Sequence, residues 1–182
     1  MTRLSRSLPA MVIAAMLMLP SHGWALPEDV CTNPAVPRST PSSDFTLIGD
    51  GSMVRHETTG LEWQRCAVGQ VWQDNRCNGS ASTMTWQQAL QAGAELGEGW
   101  RLPNINELRS IVEECRTTPA INQVVFPNTA LALFWSASPV VGESARVWGV
   151  GFQAGPVGFS AGTDQLLSTQ SAFRARLVRE AR

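Results

Sequence analysis

Apolar and polar residues alternate in short runs on both sides of the middle of the chain, and this period of two predicts small antiparallel strands. Before the middle, the predicted strands cover residues 45–48, 53–56 and 61–65. After it, they cover residues 131–138, 146–153, 157–160 and 173–179. Turns rich in glycine, serine and proline separate most of them, so we expect neighbouring strands to pair.

A first amphipathic segment between these strands carries the start signal of a helix. Thr85 is followed three residues later by Gln88, which is the spacing of a capping box. Apolar residues recur at helical spacing from Trp86 onward, and Gly97 provides a stop. The pattern therefore predicts a helix that begins after Thr85 and ends at Gly97.

A second segment has the same start signal. Asn104 follows a proline and precedes Glu107 by three residues, again as in a capping box. An apolar stripe continues behind it, and we expect this helix to end near Cys115. Strands, two helices and further strands predict an α+β domain.

The charge of the chain excludes one broad class of partner. Among 182 residues, 14 are basic and 15 are acidic, so the chain lacks the strongly basic composition of most nucleic-acid-binding proteins. Apolar residues make up 43 %, which suffices for one hydrophobic core. We therefore expect one folded domain and no nucleic-acid partner.

Residues 1–25 have the pattern of a secretory signal peptide. Arg3 and Arg6 precede an apolar run over residues 8–19, and small residues precede the predicted cleavage between Ala25 and Leu26. The run is too short to span a bilayer. We expect an exported protein, periplasmic or extracellular, with no membrane span after cleavage.

Export would place the four cysteines in an oxidising compartment, where disulfides form. Three pairings are open. The segment between Cys66 and Cys77 has the length of a hairpin or tight loop, which favours that pairing and leaves Cys31 with Cys115. Paired Cys-x-x-Cys motifs are missing, and His56 is the only histidine after the signal segment. We therefore expect no metal and no other cofactor.

Composition divides the rest of the chain into two parts. Residues 26–43 are rich in proline, serine and threonine, and they are predicted to form a lead-in with few core positions. Residues 44–182 contain all the predicted strands and helices and form the predicted domain.

Several separated strings in this domain resemble one family. They are residues 59–66, the loop to Cys77, the helix start at residues 85–86, the Trp-Arg-Leu-Pro string within residues 100–108, and residues 134–138 and 176–179. In this order they resemble the Lcl C-terminal domain family of exported bacterial proteins. The resemblance implies a C-type-lectin-like fold, related to the formylglycine-generating enzymes, in which two helices pack on small twisted antiparallel sheets. It also implies carbohydrate binding, namely of sulfated glycosaminoglycans, and cell adhesion, but no catalytic residues.

The motif residues themselves have a structural interpretation. Some are predicted to pack in the core, and the others to begin the second helix or to form an ion pair at its start. The set comprises Trp63, Trp86, Trp100, Arg101, Leu102, Pro103, Asn104, Glu107 and Trp135. Within this set, we expect Arg101 to pair with a carboxylate such as Glu107 or Glu113 and to fix the start of the second helix.

Two sets of residues are candidates for ligand binding. Trp72 lies in the Cys66–Cys77 loop, where an aromatic side chain can stack on a sugar. Arg174, Arg176 and Arg179, together with Arg146 on a neighbouring strand, can form a basic face, because side chains two residues apart on a strand point the same way. Such a face would bind a sulfated polysaccharide.

Catalysis has no support in the sequence. Calcium-binding lectin motifs, a Gly-x-Ser-x-Gly string and a carboxy-terminal cysteine pair are all missing. The sequence therefore predicts a non-catalytic binding module that contacts a glycan or a cell-envelope protein in adhesion. The alternative is a structural or assembly component of an envelope or surface complex with no small ligand.

Overall fold

The computed structural model describes residues 29–153, 162 and 164–181, and the predicted signal segment lies outside them. Within these residues the chain forms nine strands, two α-helices and one short 3-10 helix (Ser42–Asp44). The elements are β1 (Phe45–Ile48), β2 (Met53–His56), β3 (Leu61–Gln64), β4 (Val71–Gln73), β5 (Arg76–Asn78), α1 (Trp86–Leu96), α2 (Ile105–Arg109), β6 (Leu133–Val140), β7 (Glu143–Gly151), β8 (Asp164–Ser168) and β9 (Val178–Glu180). The predicted α+β class is confirmed, whereas the likeness to C-type lectins remains a prediction.

The described strands form three small antiparallel sheets. One has the order β1-β2-β3-β9, the second is the β4-β5 hairpin, and the third has the order β6-β7-β8. Pairing of β3 with β9 brings the end of the domain beside its beginning, with Trp63 opposite Val178. Two clusters of buried side chains fill the interior, one around Trp63 and Phe126 and the other around Trp135.

Both predicted capping boxes are present. The Thr85 side chain accepts the backbone N–H of Gln88, and the Asn104 side chain accepts that of Glu107. Helix α1 ends at its predicted stop, where Gly97 has a φ of 68°. These caps satisfy backbone donors that have no partner within the first helical turn.

Helix α2 is shorter than predicted. The sequence suggested an end near Cys115, but the helix ends at Arg109. The Ser110 hydroxyl donates to the Glu107 carbonyl, and the backbone N–H of Glu113 donates to Ala120 instead of a helical carbonyl. These competing hydrogen bonds end the helix although its apolar pattern continues.

The last strands also differ from the prediction. Strand β8 was not predicted, because two adjacent leucines interrupt its alternation, and the predicted strand at residues 157–160 lies outside the described residues. Residues 173–179 do not form one strand. Phe173 and Arg174 form isolated bridges with Met84 and Phe134, and only β9 joins the first sheet. The chain therefore crosses from one sheet to another within this segment.

The described part of the lead-in is attached to the domain at several points. A disulfide joins Cys31 to Cys115, as predicted. The buried Glu113 carboxylate accepts the backbone N–H groups of Ser39 and Thr40 and the Thr40 hydroxyl, each at 3.0 Å. Burial raises the pKa of Glu113, but these hydrogen bonds and one from the Cys115 N–H outweigh it and hold the pKa below its usual value.

Candidate functional site

The β4-β5 hairpin holds the candidate residue Trp72. The predicted disulfide between Cys66 and Cys77 closes its base. Asp74 and Asn75 at its tip have φ values of 55° and 58°, which suit the tight turn of a twisted hairpin. Trp72 lies directly opposite Cys77 in the hairpin, so its side chain shares the face that carries the disulfide.

Two contacts fix the Trp72 indole against the domain. Its Nε1–H donates to the Asp50 carbonyl at 3.3 Å, and the Arg65 guanidinium lies 4.4 Å from the ring centre. The indole remains partly exposed. A partly exposed aromatic ring held in one orientation loses little conformational entropy when a ligand stacks on it.

Arg65 supports the indole from inside the protein. Its three nitrogens donate to the carbonyls of Val125, Gly51 and Val124 at 2.7 to 2.8 Å. Burial lowers the pKa of Arg65 to about 10, so the guanidinium remains charged at neutral pH. The cation therefore stacks on Trp72 while each of its three nitrogens donates to a protein carbonyl.

The residue that accepts the indole N–H through its backbone also has an exposed carboxylate. Asp50 precedes a turn in which its Oδ1 accepts the backbone N–H of Ser52 at 3.0 Å. Hydrogen bonds from the Ser52 side chain and backbone lower the pKa of Asp50, so the carboxylate is ionised at neutral pH. The site thus combines a held indole with acceptor oxygens, which is the chemistry that binds sugar hydroxyls.

The predicted basic face does not form from Arg176 and Arg179, because both are buried. Arg176 has an exposed fraction of 0 % and donates to the carbonyls of Gln64 and Arg65 and to the Thr129 hydroxyl. Burial, and secondarily the nearby Arg65, lower its pKa to about 9. The guanidinium lies over the Phe126 ring at 4.8 Å and has a structural role.

Arg179 is committed to ion pairs. Its Nε lies 2.9 Å from Glu62 and its Nη1 lies 3.2 Å from Glu98, while the guanidinium stacks on Trp100. Burial raises the pKa of Glu62, but hydrogen bonds from Arg179 and Arg55 outweigh it and lower the pKa overall. Arg179 therefore neutralises a buried carboxylate of the protein itself.

The two remaining arginine candidates, Arg174 and Arg146, are less buried than Arg176 and Arg179. Arg174 is partly buried, and its Nε has no hydrogen-bond partner among the residues described. Arg146 is exposed on β7 and pairs with Glu143 at 3.2 Å. The structure therefore separates the four predicted arginines by burial and does not present them as one exposed stripe.

The residues given a structural interpretation are placed as expected. Trp63 and Trp135 are fully buried, Trp100 and Leu102 are nearly so, and Trp86 donates to the Ser136 carbonyl at 2.9 Å. Arg101 and Glu107 form the expected ion pair, whereas the other candidate carboxylate, Glu113, binds the lead-in.

Sequence reasoning missed Asp50 and Arg65 as neighbours of Trp72. Asp50 is 22 residues from Trp72, and Arg65 lies just before the disulfide loop, so no motif spacing indicated either contact. Cys66 was the one available signal, because its disulfide brings the hairpin back onto the end of β3.

The described residues lack two other kinds of feature, a metal-ion site and a membrane-spanning helix. No group of three or more histidine, cysteine, aspartate or glutamate side chains within those residues is arranged to hold a metal ion. No helix in the same part of the chain is long and apolar enough to cross a membrane.

The small antiparallel sheets, the two capped helices and the two disulfides define a disulfide-braced α+β domain, and its disulfides are compatible with an oxidising compartment. The chain belongs to the Lcl C-terminal domain family, whose sequence pattern matches residues 52–179. This membership favours an exported domain. Comparison with proteins of curated function finds no match.

Proposed function

We propose that this protein is an exported, non-catalytic binding module that binds a glycan at Trp72. The observation that carries the proposal is the held, partly exposed indole, which donates to the backbone carbonyl of Asp50, a residue whose exposed side chain carries a carboxylate. The face of a sugar ring stacks on such an indole, and its hydroxyls donate to a neighbouring carboxylate. The Cys66–Cys77 disulfide keeps the hairpin in place without a ligand.

The charges of the described residues favour a weakly charged glycan over a densely sulfated one. Arg176 and Arg179 are buried, and four further arginines that are exposed or half-buried pair with carboxylates of the protein. These pairs are Arg55–Glu62, Arg101–Glu107, Arg109–Asp164 and Arg146–Glu143. A sulfated chain would compete with these carboxylates and would meet the negative Asp50 at the site.

A glycan array tests the proposal. The chain is produced with its own signal segment, purified, and applied at low and at physiological salt. We expect binding to uncharged glycans that changes little with salt, since no ion pair is involved. Trp72→Ala lowers that binding by about tenfold or more, as for a central aromatic contact.

The matched control is Val71→Ala. Val71 is exposed on the same strand but points to the other face of the hairpin, so its truncation leaves glycan binding unchanged. Absence of glycan binding, or equal binding by the Trp72→Ala variant, contradicts the proposal and favours the assembly component. Binding that is steeply salt-dependent favours a polyanion ligand instead.

A further inference from the structure

A pocket of about 220 Å³ lies between α1 and the chain that links β3 to the hairpin. Ala92 and Leu96 line its helix side, and Val68 and Leu177 line the opposite side. Pockets for drug-sized molecules measure roughly 300–1,000 Å³. This smaller apolar pocket suits a single aliphatic group, and no aromatic ring lines it to stack on a sugar.

The walls of the pocket are fixed without a ligand. The Gln70 side chain accepts the Ala67 N–H at 3.0 Å and donates to the carbonyls of Gly79 and Asn128. Gln64 lies at the same pocket, and its side-chain amide makes no hydrogen bond to the described part of the protein. A preformed apolar pocket with one free amide can take an aliphatic side chain and pair with the peptide backbone beside it.

A second depression lies on the other side of Ala92. Met84, Gln88, Gln91 and Glu95 line it, and Ala92 is shared with the first pocket. An extended peptide directs every second side chain to the same side, with a repeat of about 7 Å. Alternate side chains of one strand can therefore enter two neighbouring depressions.

The only charged side chain that lines either depression, among the described residues, is that of Glu95. It is exposed and forms no ion pair within the described ranges. This lone carboxylate attracts a cation and repels an acidic ligand.

We propose that the outer face of α1 docks an extended peptide segment of a partner protein, with an aliphatic side chain beside Ala92 and a basic side chain at Glu95. The observations that carry the proposal are the preformed apolar pocket, the adjoining depression and the single carboxylate. The site is independent of Trp72, which contacts Asp50 and Arg65 and lines neither depression.

A phage-displayed library of random decapeptides tests this inference. The purified chain is panned, and enriched peptides are measured by fluorescence polarisation. We expect a consensus with Leu, Ile or Val near a Lys or Arg. Ala92→Trp fills the space between the depressions and weakens binding by about tenfold or more. Glu95→Gln, on the exposed surface, weakens binding several-fold and removes the preference for a basic residue.

Two controls distinguish this site from the proposed glycan site. Gln87→Ala changes an exposed position of α1 that lines neither depression, and Trp72→Ala changes the glycan site, so both bind the peptides as the parent does. No consensus, an acidic consensus, or binding that both Ala92→Trp and Glu95→Gln leave unchanged overturns the inference. Self-association of the chain that Ala92→Trp abolishes in sedimentation also overturns it, because a second copy would then be the occupant.

Discussion

Arg101 and Glu107 form a bidentate ion pair, with nitrogen–oxygen distances of 2.7 and 2.8 Å. The same Glu107 carboxylate accepts the backbone N–H of Asn104 at 2.7 Å, so one side chain caps α2 and binds the arginine. Hydrogen bonds with Glu107 raise the pKa of Arg101. Burial raises the pKa of Glu107, but the bonds from Arg101 and Asn104 prevail and lower it.

Replacing Arg101 by lysine tests how much the forked geometry contributes. Lysine keeps the charge but cannot make two parallel hydrogen bonds to one carboxylate. Because Arg101 is partly exposed and solvent screens the pair, we expect a loss of about 1 kcal/mol in the free energy of unfolding. Urea unfolding measures it. Arg146→Lys, at an exposed ion pair, serves as the control and changes stability little.

Glu113→Gln tests the attachment of the lead-in. An amide nitrogen would face donors that now meet a carboxylate oxygen, so we expect a loss of about 2–3 kcal/mol and faster proteolysis between residues 32 and 40. Glu114→Gln, at an exposed neighbour, leaves both unchanged. Equal proteolysis of the two variants would show that Glu113 does not hold the lead-in.

Acid should weaken the same attachment. The pKa of Glu113 is lower in the folded chain than in the unfolded chain, so its stabilisation is complete above the usual glutamate pKa and is lost as pH falls through the folded value. Unfolding curves between pH 6 and pH 3 measure this. Glu113→Gln should show a smaller loss of stability over that range than the parent chain.

Arg176→Ala should impair folding rather than ligand binding alone. The substitution leaves a cavity and removes the donors to Gln64, Arg65 and Thr129, so we expect a loss of about 3 kcal/mol or more. Arg146→Ala, at an exposed position, should stay within about 0.5 kcal/mol of the parent. Thermal unfolding distinguishes the two, and equal melting temperatures would contradict a structural role for Arg176.

His56 makes stability depend on pH near neutrality. The imidazole is buried against Phe45 and bonds to the Thr59 hydroxyl. Burial lowers its pKa, and the nearby Asp44 and Glu57 only partly oppose this. As pH falls, His56 is therefore protonated at a higher pH in the unfolded chain than in the folded chain. The free energy of unfolding decreases as pH drops below about 6.5. His56→Phe should flatten the change in stability between pH 7.5 and pH 5.5 in urea titrations.

Local patterns in the sequence predicted those parts of the fold that depend on neighbouring residues. Both capping boxes, the first three strands and the Cys66–Cys77 loop belong to this group, because hydrogen bonds or short loops within a few residues determine them. The end of α2 was missed because the Ser110 hydroxyl and the Ala120 carbonyl compete with the helical hydrogen bonds, and the apolar stripe does not reveal this competition.

The candidate site was predictable only in part. Trp72 was identified from its place in the loop, but its neighbours Asp50 and Arg65 lie outside that loop and meet it only in the folded chain. Alternation at residues 173–179 suggested one exposed face, yet the structure buries both faces from Ala175 to Arg179. A period of two indicates extended chain, but it does not show whether a second layer covers the polar side.

The Cys31–Cys115 bond closes a ring that contains the first half of the domain, since its cysteines are 84 positions apart. A single cut anywhere inside that ring leaves the two pieces covalently joined. A pulling force applied to the chain before Cys31 passes through the disulfide to Cys115. The segment from Cys31 to β1 therefore does not bear that force. The disulfide therefore keeps the domain connected after a single cut in its backbone and under a pulling force, which hydrogen bonds alone would not do.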